Sequence, residues 1–299
     1  MATVINGKEI AARIIEDLKT LRRPDKILAA VLIGENPQSK SFLKQKELMA
    51  KELGVPFELF RFGEEILEDD LIAEIKKIGE DTEIGGIIVQ LPLPKHYDRD
   101  KILSAINPKQ DVDALTAESK KFVNPLPVEV IKDIIRDANM RMHANDANSE
   151  NVVKEYLKNK AVAVVGKGFL VGKPIIEWLK GNPSAGSGQK CQTLLIFDSK
   201  SDLKNLKKAD LVITGVGKAN LIKPEMLKSG AGVIDFGYDL IEVKSEKGKV
   251  ESKITGDFDA FELELSTFNF QLSWYTPTPG GTGPILVAEI FKNFYKLNQ

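Results

Sequence analysis

The sequence predicts an α/β protein built from two βα domains, the C-terminal one a doubly wound parallel sheet. Three observations lead there. The 299-residue length exceeds one comfortable hydrophobic core. Two separate series of short apolar runs alternate with amphipathic helical patterns. Most of those runs end at a glycine or a polar turn, as strands buried on both faces do.

The elements follow in order. An amphipathic helix covers Lys8 to Lys19, the apolar run Ile27 to Ile33 stops at Gly34, and another helix follows. Phe57 to Phe62 reads as a strand, Glu68 to Lys77 as a helix, and Gly86 to Gln90 (G-I-I-V-Q) as a buried strand closed by L-P-L-P. Pro127 to Lys160 reads as two helices around the polar break H-A-N-D-A-N-S, a linker composition, and places the domain crossing near residue 121. A second series then runs through A-V-A-V-V-G from Ala161, T-L-L-I-F-D from Thr193, D-L-V-I-T-G from Asp210 and G-V-I-D-F-G from Gly232. Between them Asn182 to Gln189 (N-P-S-A-G-S-G-Q) reads as a flexible surface loop. T-P-T-P-G-G-T-G-P, Thr276 to Pro284, is a stiff loop with bare backbone, the kind that serves a ligand. It precedes a helix carrying Ile285, Leu286, Ile290, Phe291 and Phe294, with Pro284 expected at the first helical position. The predicted domains are 1–120, joined by the terminal helix 284–299, and 121–283.

Composition excludes several classes of function. The formal net charge is −1 with scattered basic residues, so no one-sided positive footprint for nucleic acid or anionic membrane is expected. No apolar run approaches the ~20 residues of a bilayer span, and the N-terminus lacks a secretory layout, which predicts a cytoplasmic protein. A single cysteine, Cys191, excludes an internal disulfide. With only His96 and His143 beside it, no Cys/His metal cage is expected, and proton transfer falls to Lys, Asp or Tyr.

V-V-G-K-G-F-L-V-G-K-P, Val164 to Pro174, sets Gly166, Gly168 and Gly172 between a strand and a helix, where small residues let a pyrophosphate approach helix N-terminal amides. The turn makes this half Rossmann-like, although G-x-G-x-x-x-G is one residue longer than the usual fingerprint. Asp198 ends the next strand, positioned to accept hydrogen bonds from the adenosine ribose, but further along than the usual ~20 residues. That carboxylate disfavours a 2′-phosphate, whereas Lys167, Ser199 and Lys200 can bind one, so NAD and NADP both remain open, with a slight lean to NAD. T-G-V-G-K from Thr214 brings Gly215 and Gly217 to the same edge.

In the helix opened by E-N-P-Q-S-K-S-F, the stripe Phe42, Lys46, Met49, Leu53 sets a lysine into an otherwise apolar face. A lysine held against apolar surroundings has its pKa pushed down and can act as base or acid near neutrality; a snorkelling lysine is the alternative.

With these residues the chain resembles the bifunctional methylenetetrahydrofolate dehydrogenase/methenyltetrahydrofolate cyclohydrolase family of the FolD type. The likeness spans nearly the whole chain: G-E-N-P-x-S with Lys46 seven residues beyond Ser39, V-Q-L-P-L-P at Val89 to Pro94, D-V-D at Asp111 to Asp113, V-V-G-K-G-F-L-V-G-K-P, A-D-L-V-I-T-G-V-G-K from Ala209, and P-G-G-T-G-P from Pro279. The resemblance implies a folate cleft between the two domains, NAD(P) on the C-terminal one, a terminal helix returning to the N-terminal domain, and a homodimer. It implies catalytic roles for Lys46, Gln90 and Asp113. Folate-binding roles fall to Phe42, Leu91, Pro92, Pro279, Gly280 and Gly281. Cofactor contacts are implied at Gly166, Lys167, Gly168, Val171, Gly172, Pro174, Asp198, Ser199, Lys200, Gly215 and Gly217.

The chain departs from the family pattern at Phe42, where tyrosine is usual, at Ala114 (D-V-D-G is usual), at Lys167 (arginine), at Asp198 (histidine) and at N-P-L-P from Asn124 (P-C-T-P). Losing the hydroxyl beside a catalytic amine is expected to weaken hydrolysis more than dehydrogenation. Two other readings stay open at this stage: a dehydrogenase of another small substrate, such as shikimate or an amino acid, and a non-catalytic binding descendant.

Overall fold

A computed structural model describes residues 2–143, 150–181, 190–244, 250–265 and 271–299. The predicted surface loop Asn182 to Gln189, and all of the predicted linker except His143, lie outside the described residues. In chain order the elements are β1 (Thr3–Val4), α1 (Gly7–Thr20), β2 (Ile27–Ile33), α2 (Pro37–Leu53), β3 (Phe57–Phe62), α3 (Glu68–Glu80), β4 (Ile84–Val89) and α4 (Arg99–Leu103). There follow α5 (Leu126–His143), α6 (Glu150–Lys158), β5 (Ala161–Val165), α7 (Gly172–Leu179), β6 (Thr193–Phe197), β7 (Leu211–Thr214) and β8 (Gly232–Asp235). The chain ends with β9 (Asp239–Lys244), β10 (Val250–Thr255), α8 (Ala260–Leu265), β11 (Trp274–Tyr275) and α9 (Thr282–Leu297). None of the described helices is long and apolar enough to cross a membrane.

Backbone contacts divide the chain into two units. One comprises Ala11–Leu126 with Val287–Gln299, the other Met1–Ile10 with Pro127–Leu286. The chain passes from one to the other within α1, at Leu126 and within α9.

The first unit holds a three-stranded parallel sheet in the order β3-β2-β4. Every residue of β4 is buried, as is all of β2 after Ile27, so the strands read as unbroken apolar runs rather than alternating ones. Gly34, at φ 77°, turns the chain after β2. Asn36 then caps α2, its side chain accepting from the Gln38 and Ser39 amides, with Pro37 in the first turn. Gly54 ends the helix in the left-handed region. The end of α9 belongs to this unit: Phe291 and Phe294 are fully buried, and Asn298 Nδ2 donates to the Gly85 carbonyl at 3.0 Å.

The second unit holds a six-stranded sheet, β1-β11-β8-β7-β5-β6, whose neighbours all pair in parallel. From β5 the chain goes to the edge strand β6 and then back across to β7, so the order reverses between β5 and β7. Ligands of such sheets bind at that reversal, beyond the carboxyl ends of the strands. The two-residue β1 was absent from the expected elements; Thr3 and Val4 pair with Trp274 and Tyr275, too short a match to show as a periodic run. An antiparallel hairpin, β9–β10, leaves the sheet after β8.

α9 begins at Thr282, not at Pro284, which therefore occupies the third helical position. The first-turn amides of a helix have no intrahelical partner, so proline is tolerated there too.

Asn293 is a buried polar residue of α9 in the first unit, its Nδ2 donating to the Val112 carbonyl at 2.8 Å and to that of Asn124 at 3.3 Å. Asn293→Ala leaves the Val112 carbonyl buried without that donor, and should lower the urea midpoint by the equivalent of about 1–3 kcal/mol with no change in slope.

Candidate active site

Lys46 lies on the buried face of α2, which runs Ser39, Leu43, Lys46, Ala50, Leu53. The expected stripe through Phe42 and Met49 is thus displaced: both are half-buried and flank the face, because 3.6-residue geometry centres it on Leu43 and Ala50. The lysine is only 8% exposed, and its Nζ donates to Gln90 Oε1 at 2.9 Å. Gln90 follows the last residue of β4 and is held in turn, its Nε2 donating to the Leu91 carbonyl at 2.7 Å. That bond orients the amide so that its oxygen faces the amine. Leu91 and Pro92 continue the strand end across a cis peptide bond.

Burial pushes the Lys46 amine below its usual range, opposed by the negative charge of Asp113. Asp113 is pushed up to about 6, first by desolvation and further by Asp111, with Lys46 pulling the other way. Burial thus shifts each group towards its own neutral form, and the charge of each opposes the shift of the other. A buried turn presents Asp113. Asp111, fully buried, accepts from Ser119 Oγ at 2.5 Å and from the Leu115 amide at 2.9 Å. Ala114, beside Asp113, stands in the left-handed region at φ 52°, a conformation that favours glycine. Ser39 shares the buried face of Lys46 one helical repeat away, and its Oγ has no protein partner among the described residues. In the sequence Ser39 is only a motif position; its unfilled hydroxyl shows only in three dimensions.

The second unit carries the glycine turns. Gly166 follows β5 at φ 95°, and a methyl on Gly172 would fall 2.1 Å from the Gly166 carbonyl oxygen, so only glycine lets the helix start so close to the strand. Gly168 O accepts from the Lys173 amide at 2.9 Å, and Val171 and Pro174 complete the entry into α7. A methyl on Gly215 would meet Val171 Cγ1 at 2.5 Å, which joins the turn after β7 to the turn after β5. This tight cradle, at the sheet's order reversal and opening a helix, fits a dinucleotide pyrophosphate.

Asp198 is not a free ribose acceptor in this structure. Lys167 Nζ donates to its Oδ2 at 2.7 Å, and Oδ1 accepts from the Lys200 amide at 3.1 Å and from Ser201 Oγ at 3.0 Å. These donors, Lys167 foremost, hold the carboxyl down at about 2. Sequence spacing kept Lys167 and Asp198 apart as rival determinants; the adjacent ends of β5 and β6 bring them together. Ser199 and the Lys200 side chain are exposed beside the pair.

The Thr276–Pro284 loop is anchored from behind. Asp235, at the end of β8, is 1% exposed; its amide donates to Thr276 Oγ1 at 2.8 Å and its carbonyl accepts from Thr282 Oγ1 at 2.9 Å. Its carboxyl accepts from the Gly237 and Phe258 amides, and burial, with Asp257 adding to it, pushes it up to about 7. Gly280 has φ 98°, and a methyl on Gly281 would lie 2.4 Å from the Pro277 carbonyl oxygen. The start of α1 touches the same peptides: Gly7 N donates to Gly280 O at 2.9 Å, and a methyl on Gly7 would fall 1.7 Å from Gly281 O. Pro279 precedes this contact across a cis bond. Asp235 and Gly7 carry no local signal in the sequence, since one is a strand end and the other a helix start.

Two family models match the chain: the tetrahydrofolate dehydrogenase/cyclohydrolase catalytic domain over residues 5–113 and the NAD(P)-binding domain of the same enzymes over residues 150–299. The chain belongs to the tetrahydrofolate dehydrogenase/cyclohydrolase family. It is 35% identical to the bifunctional protein FolD of Flavobacterium johnsoniae, over 95% of this chain and 90% of that one. It is 32% identical to that of Nautilia profundicola, over 98% and 96%. The solved structure of bifunctional FolD from Campylobacter jejuni superimposes with a TM-score of 0.78 at 28% identity, covering 100% of this chain and 99% of the other. Membership removes the reading as a dehydrogenase of an unrelated small substrate, and the glycine cradle lies within the matched NAD(P)-binding domain.

The raised pKa of Asp113 has a consequence for stability. Below 3.8 the carboxyl is protonated folded or unfolded, and the fold keeps the full benefit of the neutral form; as pH rises towards about 6, the unfolded chain loses its proton first and that benefit disappears. Asp113→Asn should remove this component, so the difference in urea midpoint between parent and variant should shift in favour of the variant from pH 3.8 to 6. A pH-independent difference would show Asp113 to be unperturbed.

Proposed function

We propose that this protein oxidises 5,10-methylenetetrahydrofolate to 5,10-methenyltetrahydrofolate with NAD(P) and hydrolyses the product to 10-formyltetrahydrofolate. The observation that carries the reading is the buried Lys46 amine bonded to Gln90 at 2.9 Å with its pKa lowered. Phe42, Leu91, Pro92, Pro279, Gly280 and Gly281 are assigned to the folate. Gly166, Gly168, Val171, Gly172, Pro174, Gly215 and Gly217 are assigned to the dinucleotide, which when bound supplies a nicotinamide hydride acceptor.

Hydride loss leaves a cation on the bridging carbon of the substrate. Water adds to that carbon, and the neutral Lys46 amine takes the proton the water sheds. The carbon–N5 bond then breaks, the ammonium returns a proton to N5, and one proton in total is released. A cationic substrate depresses the lysine pKa further, which keeps the amine in the form that accepts a proton. Gln90 holds Nζ in line through the cycle, and Asp113 accepts hydrogen bonds from the pterin amino and ring nitrogens. Phe42 supplies an aromatic face without a hydroxyl, so hydrolysis here runs slower than with tyrosine.

For the cofactor we propose that NAD is used at least as well as NADP. Lys167 is already engaged by Asp198, and a lysine lacks arginine's bidentate fork for a phosphate. The assembly we propose is a homodimer. Family membership supports it, as does the edge strand β6, whose Leu194, Leu195 and Ile196 are partly exposed.

One assay tests the reading. Purified protein given methylenetetrahydrofolate should produce reduced nicotinamide and the methenyl absorbance, with kcat/KM for NAD no lower than for NADP. In Lys46→Met, hydrolysis of methenyltetrahydrofolate should fall ~10²- to ~10⁴-fold, with a smaller loss of dehydrogenation. Parental hydrolysis in that variant would contradict the role of the lysine, and absence of reduced nicotinamide with either cofactor would contradict the oxidation.

A further inference from the structure

The hairpin β9–β10 has no part in the chemistry above, yet both its feet reach the turn that follows β7. Asp257 stands two residues beyond β10 and is fully buried. Its Oδ2 accepts from Thr214 Oγ1 at 2.6 Å and from the Val216 amide at 2.7 Å, and its Oδ1 accepts from the Lys218 amide at 2.7 Å. Asp239, the first residue of β9, accepts from the Ala219 amide at 3.1 Å through Oδ2. The Asn220 amide donates to Gly256 O at 2.9 Å, closing the contact. Room for the Asp257 carboxylate depends on Gly237, where a methyl would come within 2.3 Å of it.

These bonds dictate the shape of the turn. One carboxylate gripping the amides of residues 216 and 218 forces residue 217 between them into the left-handed region, and Gly217 stands there at φ 73°. Among the described residues the Gly217 amide has no acceptor. The Val216 side chain stays 45% exposed while a methyl on Gly166 would lie 3.1 Å from its Cγ2, so Val216 stands against the pyrophosphate turn. A carboxylate accepting several backbone amides is a strong, geometrically exacting anchor.

We propose that Asp257, seconded by Asp239, is the positioning residue of the cofactor site: it touches no cofactor atom but sets Val216 and the Gly217 amide where the dinucleotide meets them. The hairpin is then the brace of the cofactor turn. The inference rests on the reading that this unit holds NAD(P).

The test separates the two claims. Binding of NAD and NADP to the parent is measured by calorimetry, without substrate. Asp257→Asn replaces one acceptor oxygen by an amide that faces backbone N–H groups. It should weaken dinucleotide binding and raise the cofactor KM about tenfold or more. Hydrolysis of methenyltetrahydrofolate needs no nicotinamide, so its kcat and folate KM should stay within about twofold. A merely structural role would depress both activities together. Parent that binds neither dinucleotide overturns the reading of the unit; parent that binds and Asp257→Asn that binds equally well overturns the positioning role alone, as does an equal fall of both activities. If thermal melting shows Asp257→Asn unfolded, Asp239→Ala decides, with a cofactor KM raised about threefold expected and an unchanged one overturning the proposal.

Discussion

Taking the Lys46 amine out of water is the constraint from which the first unit's chemistry follows. Burying a methylene is favourable whereas burying a cation is costly, and the protein meets that cost by letting the group lose its proton more easily and by supplying one neutral acceptor, Gln90 Oε1, and one distant charge, Asp113. A carboxylate in direct contact would have produced a salt bridge and a lysine fixed in its charged form. An amide in that place holds the nitrogen without stabilising the charge as strongly, which is what a group that must both take and give a proton requires. The folding elements serve this arrangement: capped α2 fixes the lysine's height along the sheet, and the all-buried β4 fixes the glutamine at its end.

In the second unit backbone closeness takes the place of a buried charge. Gly172 and Gly215 let chain segments pack where any side chain would collide, Gly166 turns in the left-handed region, and buried carboxylates organise the surrounding amides. Asp235 and Asp257 are neighbours at the carboxyl end of the sheet, one behind the Thr276–Pro284 loop and the other behind the turn after β7. Each ligand-facing loop therefore has its own buried carboxylate residue behind it. Such a network specifies a unique geometry because leaving any member unpaired is costly.

Much of this was legible in the sequence, for identifiable reasons. Runs such as Ile27–Ile33 and Ala161–Val165 are apolar throughout because parallel strands are covered on both sides, so their existence and type were plain. Lys46 stood out because a charge interrupted an apolar face, and Gly172 because it stood between a strand and a helix, one position beyond the usual phosphate-binding spacing. What escaped depends on contacts distant in sequence. β1 has two residues and takes its meaning from Trp274 and Tyr275. Lys167 and Asp198 became partners only when neighbouring strand ends met. Asp257 carries no local signal in G-D-F-D, because its oxygens are filled by amides some forty residues earlier. The stripe through Phe42 and Met49 lies one position away from Leu43 and Ala50, on which helical geometry centres the buried face.

Desolvation holds the Lys46 amine below the ordinary lysine range while the Asp113 charge pulls it back. Selective lysine labelling and a pH titration of its side-chain nitrogen by NMR measure this directly in the parent and in Asp113→Asn. The expected midpoint lies below 10.5 in the parent and lower still in the variant. A parental midpoint at or above 10.5, or a rise on removing the Asp113 charge, would contradict it.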